Sequence, residues 1–93
     1  MNKSELIEAF AQQQDVAHKR AEEIVNIVFN TMSEAMINGD RIEIRGFGSF
    51  VIKEYGAYTG RNPKTGEPIE VEPKKLPFFK VGKELKERIL DGE

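Results

Sequence analysis

The sequence predicts an α+β fold: a helical hairpin, then antiparallel strands drawn out into a long β-ribbon, then a short closing helix. Three observations predict it. Apolar residues recur at helical spacing as far as Asn38-Gly39, the pattern switches to period two at Arg41, and the seven residues Gly60-Arg61-Asn62-Pro63-Lys64-Thr65-Gly66 join two strand-like runs. The 93 residues make one domain, 1–93, divided into a helical hairpin (1–40), a sheet (41–54), a ribbon arm (55–73) and a return strand with the C-terminal helix (74–93).

Asn2 and Glu5 have capping-box spacing, and Leu6, Ile7 and Phe10 form the apolar stripe of a first helix from about Lys3 to Gln13. Asp15-Val16-Ala17 is a short link. Ala17 offers the next helix no side-chain cap, a loss of about 1 kcal/mol unless Asp15 substitutes. Ala21, Ile24, Val25, Val28, Met32, Ala35 and Met36 keep a 3.6 period, widened by Ile27 and Phe29, and Asn38-Gly39 stops that helix. Met32 and Met36 read as core packing.

Arg41-Ile42-Glu43-Ile44-Arg45 then alternates polar and apolar, and Ser49 to Lys53 does so more loosely. Between them Gly46-Phe47-Gly48 predicts a tight hairpin with Phe47 projecting inward. An outgoing strand to about Tyr58, the seven-residue tip and a return strand from about Pro68 to Glu72 complete the ribbon. Lys74 to Val81 leads back, Gly82 breaks the strand, and Lys83 to Leu90 predicts a short helix with Leu85 and Ile89 facing in.

Composition excludes several classes. With no cysteine there is neither a disulfide framework nor a thiolate metal site, and no apolar run approaches the ~20 residues of a membrane span. The polar start, Met1-Asn2-Lys3-Ser4-Glu5, predicts no signal peptide and a cytoplasmic protein. A chain this short buries roughly 60–65% of its unfolded surface, which predicts completion of the core by oligomerising. The net charge is −2 but uneven: residues 1–40 hold three Lys/Arg against seven Asp/Glu, 41–83 nine against five, and 84–93 two against four. The middle is basic and the ends acidic, and attraction to a polyanion depends on where the cations lie.

The tip is longer than a reversal needs and places Pro63 between Arg61 and Lys64. A basic ribbon ending in an apolar wedge suits entry into a DNA minor groove and unstacking of a base step. Asn-Pro is also an ordinary turn dipeptide. Phosphate-loop chemistry is excluded by spacing, because the second glycine required after Gly60 would fall at Thr65, and Gly66 is followed by Glu67. The single histidine, His18, near a helix start, reads as an exposed side chain, and no catalytic set is assembled. No cofactor, metal or small-molecule substrate is expected.

Taken together, the helical hairpin, Gly46-Phe47-Gly48-Ser49-Phe50, the tip Gly60 to Gly66 and Phe79-Lys80-Val81-Gly82-Lys83-Glu84-Leu85-Lys86 resemble the HU/integration-host-factor family of bacterial DNA-bending proteins over essentially the whole chain. Arg41 to Phe50 looks particularly like the beta-subunit branch. The resemblance implies an intertwined dimer on a helical base whose two arms hold double-stranded DNA, as a homodimer or with a related subunit, in the bacterial nucleoid. That family is itself a known case of minor-groove wedging.

Position by position, the resemblance makes Pro63 the wedge, and sets Arg61 and Asn62 on the groove, Lys64 on a phosphate and Arg45, beside a partner Glu43, in a groove near the body. Lys83 and Lys86 would meet flanking phosphates. Further contacts are expected from Lys53, Tyr58, Thr65, Lys74 and Lys75 on the arm and from Ser49, Lys3 and Lys80 on the body. Phe29, Phe47, Phe50 and Phe79 would form the dimer core, with Phe78 also expected in core or interface, in preference to stacking platforms for single strands. Arg45 and Glu43 also read as a cross-strand ion pair, and Lys74 and Lys75 as a solvated stretch. Gly56-Ala57-Tyr58, where the family often carries arginine, and Glu67, Glu70 and Glu72 depart from the pattern and leave open an interaction module with weakened DNA binding.

Overall fold

The computed structural model describes residues 1–92, in the order α1 (Lys3–Gln14), α2 (His18–Ile37), β1 (Ile42–Ile44), β2 (Gly48–Tyr55), β3 (Tyr58–Arg61), β4 (Pro68–Val71), β5 (Lys74–Val81) and α3 (Lys83–Leu90). Two compact units result, Met1–Ala35 and Met36–Glu93. In the first, the expected capping box is complete: Asn2 Oδ1 accepts from the Glu5 N–H at 2.8 Å, and Glu5 Oε1 accepts from the Asn2 N–H at 3.2 Å. Asp15 does not substitute for a cap on α2. It closes α1 in the left-handed region (φ 50°), its N–H donating to the carbonyls of Ala11 and Gln12. Ile7, Ala21 and Val25 are the buried core, with Leu6, Phe10, Ala11 and Val16 against them.

The second unit is built on a three-stranded antiparallel sheet of order β1-β2-β5 and a two-stranded ribbon β3-β4. Glycine governs the β1–β2 hairpin in two ways. Gly46 takes a positive φ of 84°, where a side chain is strained, whereas Gly48 is required by space. A Cβ at Gly48 would stand 2.5 Å from the Lys80 carbonyl oxygen and 2.6 Å from the Phe79 ring. Phe47 lies 5.4 Å from Phe79, centroid to centroid, and is 45% exposed in the single chain. From this tight turn the side chain reaches the edge of the aromatic cluster on the side a second chain would cover.

The long β2–β5 ladder runs from Gly48↔Val81 to Tyr55↔Lys74, and β3–β4 from Tyr58↔Val71 to Arg61↔Pro68. The outgoing strand therefore does not reach Tyr58 unbroken. Gly56 and Ala57 interrupt one side, Glu72 and Pro73 the other, two residues against two, so the register passes through without a slip. Pro73 has no N–H to donate, so one ladder bond is unavailable at the gap. In α3, Leu85 is half-buried as expected, but Ile89, one turn further out in a helix of eight residues, is 63% exposed.

Candidate nucleic-acid interface

The tip is a preset turn. Strand pairing continues through Gly60 and Arg61, so the seven-residue loop expected from sequence is narrower at its neck. Tyr58 lies 3.6 Å from the Cβ position of Gly60, and a side chain there would meet its ring. The Asn62 N–H donates to the Glu67 carbonyl at 2.8 Å, and the Gly66 N–H to the Asn62 carbonyl at 2.7 Å, with Gly66 at φ 73°. Asn62 Oδ1 accepts from the Lys64 N–H at 2.9 Å, forming an Asx turn across Pro63. Thr65 Oγ1 accepts from the Glu67 N–H at 3.3 Å, and Arg61 Nη1 donates to the Gly66 carbonyl at 3.3 Å.

These bonds fix the backbone on both sides of Pro63, which is exposed at the apex between the exposed cations Arg61 and Lys64. Asn62 and Thr65 each commit an oxygen to the turn, leaving the Asn62 amide NH₂ and the Thr65 hydroxyl hydrogen as outward donors. Arg61 spends one guanidinium N–H on Gly66 and keeps the others.

Alternation along a strand sorts the sheet into two faces. Ile42, Ile44, Phe50, Ile52, Pro77, Phe79 and Val81 share one, with Phe50 and Phe79 at 4.9 Å and Phe47 beside them. Glu43, Ser49, Lys53, Lys74 and Lys80 share the other, together with Val51, Tyr55, Leu76 and Phe78. Most of the sheet positions expected to meet DNA therefore fall on one surface. Glu43 and Ser49 are direct cross-strand partners, and with Arg45 they line a shallow recess closed by Gly82.

One pairing is corrected. Glu43 accepts from Arg41 Nη2 at 2.8 Å, and among the described residues no ion pair joins it to Arg45. Arg41 and Arg45 flank β1 at equal spacing from Glu43; Arg45 opens the turn to β2, and the carboxylate is engaged from the Arg41 side. The guanidinium of Arg45 is exposed at the rim of the recess.

Lys75 falls on the apolar side, its Nζ 3.5 Å from Glu54. Phe78 is also corrected: it lies on the polar face, opposite to its neighbour Phe79, with the Lys53 Nζ 3.8 Å above its ring centroid. Two adjacent strand residues must point to opposite sides, so the dipeptide itself carried that signal. Tyr55, which sequence reasoning passed over, faces Lys74, whose Nζ is 5.8 Å from its centroid.

Lys83 and Lys86 begin α3, both exposed, with Lys83 Nζ 4.0 Å from Glu87. Lys3 opens α1, beside Ser4 and His18 in a separate recess of the helical unit, and Phe29 is an exposed residue of α2. His18 is exposed, and among the described residues no His/Cys/Asp/Glu group is arranged to hold a metal ion. Nor is any described helix long and apolar enough to cross a membrane.

Known proteins share both the sequence and this geometry. The family described as bacterial DNA-binding protein matches residues 1–90. Integration host factor subunit beta of Halorhodospira halophila is 56% identical over 96% of this chain and 88% of its own length. That of Teredinibacter turnerae is 52% identical over 96% and 92%. Among solved structures, the Anabaena HU–DNA cocrystal structure superimposes with a TM-score of 0.83 at 39% identity, covering 96% of this chain and 97% of the other. HU from Thermotoga maritima gives 0.68 at 30%, covering 96% and 98%. The matched span includes hairpin, sheet, ribbon and α3 alike, and on that basis the chain belongs to the HU/integration-host-factor family of bacterial DNA-binding proteins.

Proposed function

We propose that this chain is an architectural, histone-like DNA-binding protein of the bacterial nucleoid that enters the minor groove as a dimer and bends the duplex by intercalating Pro63. It performs no chemistry. The observation that carries the reading is an exposed proline at the apex of a ribbon in unbroken register, its backbone fixed by hydrogen bonds and flanked by Arg61 and Lys64. A rigid ring on a preset turn loses little entropy when it enters a base step. Unstacking costs a few kcal/mol per step, offset by the cationic surface that a bent duplex reaches.

In this reading the partner is a second chain of the same fold, identical or a related subunit. Phe29, Phe47, Phe50 and Phe79 are the apolar groups it would cover. Likeness to beta subunits of integration host factor favours a related subunit, and the resemblance to an HU–DNA cocrystal favours DNA over a drifted interaction module. Arg45 and Ser49 read the groove near the body, while Lys80, Lys83, Lys86 and Lys3 meet phosphates.

The test is Pro63→Ala, with bend angle measured by end-to-end energy transfer and affinity by anisotropy. The bend angle should fall while affinity for a nicked duplex, already flexible, changes less than threefold or so. A mutant that bends intact DNA as far as the parent would falsify the wedge.

A further inference from the structure

We propose that Phe78 is a positioning residue for DNA binding: its ring holds the Lys53 ammonium over the polar face of the sheet as a preset phosphate contact. The inference rests on the reading of that face as a DNA surface. Among the lysines of β2 and β5, Lys53, Lys74 and Lys80 lie on the polar face, and Lys75 lies on the other, engaged by Glu54. The three are thus unopposed by a carboxylate of either strand on their own face, while two of them sit over aromatic rings, Lys53 over Phe78 at 3.8 Å and Lys74 near Tyr55 at 5.8 Å.

A ring face attracts a cation without neutralising it, since the ring has a quadrupole and no net charge. Glu54 does the opposite to Lys75, supplying a full negative charge that a phosphate would have to displace. The ring therefore restricts the long lysine chain, whose rotamer freedom otherwise opposes each contact, and leaves its charge available. The ligand this surface fits is the phosphate backbone of a duplex lying across the sheet, with Lys75 taking no part.

The test uses the full-length chain and a double-mutant cycle of Phe78→Leu and Lys53→Met, measured by duplex titration at low salt. Phe78→Leu should weaken binding about two- to fivefold, the range of an exposed cation–π pair. In the Lys53→Met background the same change should have no effect, and Phe78→Tyr should restore parental affinity. Equal weakening in both backgrounds, or none in either, overturns the inference. If the unsubstituted chain binds no duplex, the proposed function falls with it, which separates the two failures. A readout without substitution is also available: the Lys53 ε-methylene protons should be shifted upfield by the ring and move on adding duplex, while those of Lys75 stay. Unshifted Lys53 protons in the free chain would refute the placement.

Discussion

Replacing Gly48 by alanine isolates how tightly the sheet is closed beneath the aromatic cluster. The added methyl would stand 2.5 Å from the Lys80 carbonyl oxygen, about 0.9 Å short of ordinary contact, and 2.6 Å from Phe79 Cζ. Neither neighbour yields easily. The carbonyl belongs to the partner strand of the Ser49↔Lys80 ladder, and the Phe79 ring is held by Phe50 at 4.9 Å and Phe47 at 5.4 Å. Overpacking of this kind costs about 1–3 kcal/mol, and with backbone as the obstacle the upper half of that range applies. Unfolding entropy near 2.1 cal/mol/K per residue converts about 2–3 kcal/mol into a melting point lower by roughly 10–15 °C for a chain of this length.

Two further glycines calibrate the result. Gly46→Ala meets only the mobile Glu84 carboxylate at 3.1 Å, so its cost is that of φ 84°, about 1 kcal/mol or roughly 5 °C. Gly56→Ala meets nothing within 4 Å and has no positive φ, so it should be neutral or raise the melting point by about 2–5 °C. The assay is thermal unfolding by circular dichroism at one fixed chain concentration, because a dimer's stability depends on it. A Gly48→Ala protein melting no lower than Gly46→Ala would refute the steric reasoning.

Two other substitutions probe separate parts of the molecule. Asn2→Ala removes the oxygen that the Glu5 N–H donates to and should lower stability by about 1 kcal/mol, read as a melting point about 5 °C lower with DNA affinity unchanged. Glu70→Gln with Glu72→Gln removes two charges from the return side of the arm and should tighten low-salt duplex binding about two- to fivefold, an advantage that shrinks by 200 mM salt as screening shortens. Anisotropy titrations at 50 and 200 mM salt would check it, and an advantage independent of salt would show that the effect is not electrostatic.

Local signals were legible wherever a residue's chemistry acts on its immediate neighbours. The Asn2–Glu5 box, the stop at Gly39 (φ 80°) and the break at Gly82 before α3 all stand where the sequence puts them, because caps and left-handed positions are decided within a few residues. Pairing was harder. The ribbon's interruption at Gly56-Ala57 faces Glu72-Pro73, with Pro73 seventeen positions from Gly56, and a strand opposite is invisible to a local pattern. Glu43 was assigned to Arg45 by resemblance and as a cross-strand pair, but Arg41, equally spaced on the other side, engages it. Phe78 was grouped with Phe47, Phe50 and Phe79 for lying in an apolar strand, where register places it on the opposite face from Phe50 and Phe79. At the candidate site, the sequence showed a long turn carrying Arg61, Asn62 and Pro63, but not that Asn62 would spend its oxygen on the Lys64 N–H.

The arm also corrects the notion of a basic ribbon, and in doing so explains how an acidic protein suits a polyanion. Residues 55–73 hold Arg61 and Lys64 against Glu67, Glu70 and Glu72, so the finger is cationic only at its tip. Apart from Lys75, which Glu54 engages, the next cations are Lys53 and Lys74, with Lys80 further along the polar face of the sheet. From Tyr55 to Asn62 is seven residues, roughly 23 Å of extended strand. That exceeds the ~10 Å screening length at 0.1 M salt, so the tip and the sheet are two separate cationic sites with an acidic span between them. On the proposed reading, in which both sites hold phosphate, a duplex that meets both gains two sets of contacts, while the carboxylates between disfavour approach midway. Where the cations lie, more than the sign of the total, then decides what an acidic protein can bind.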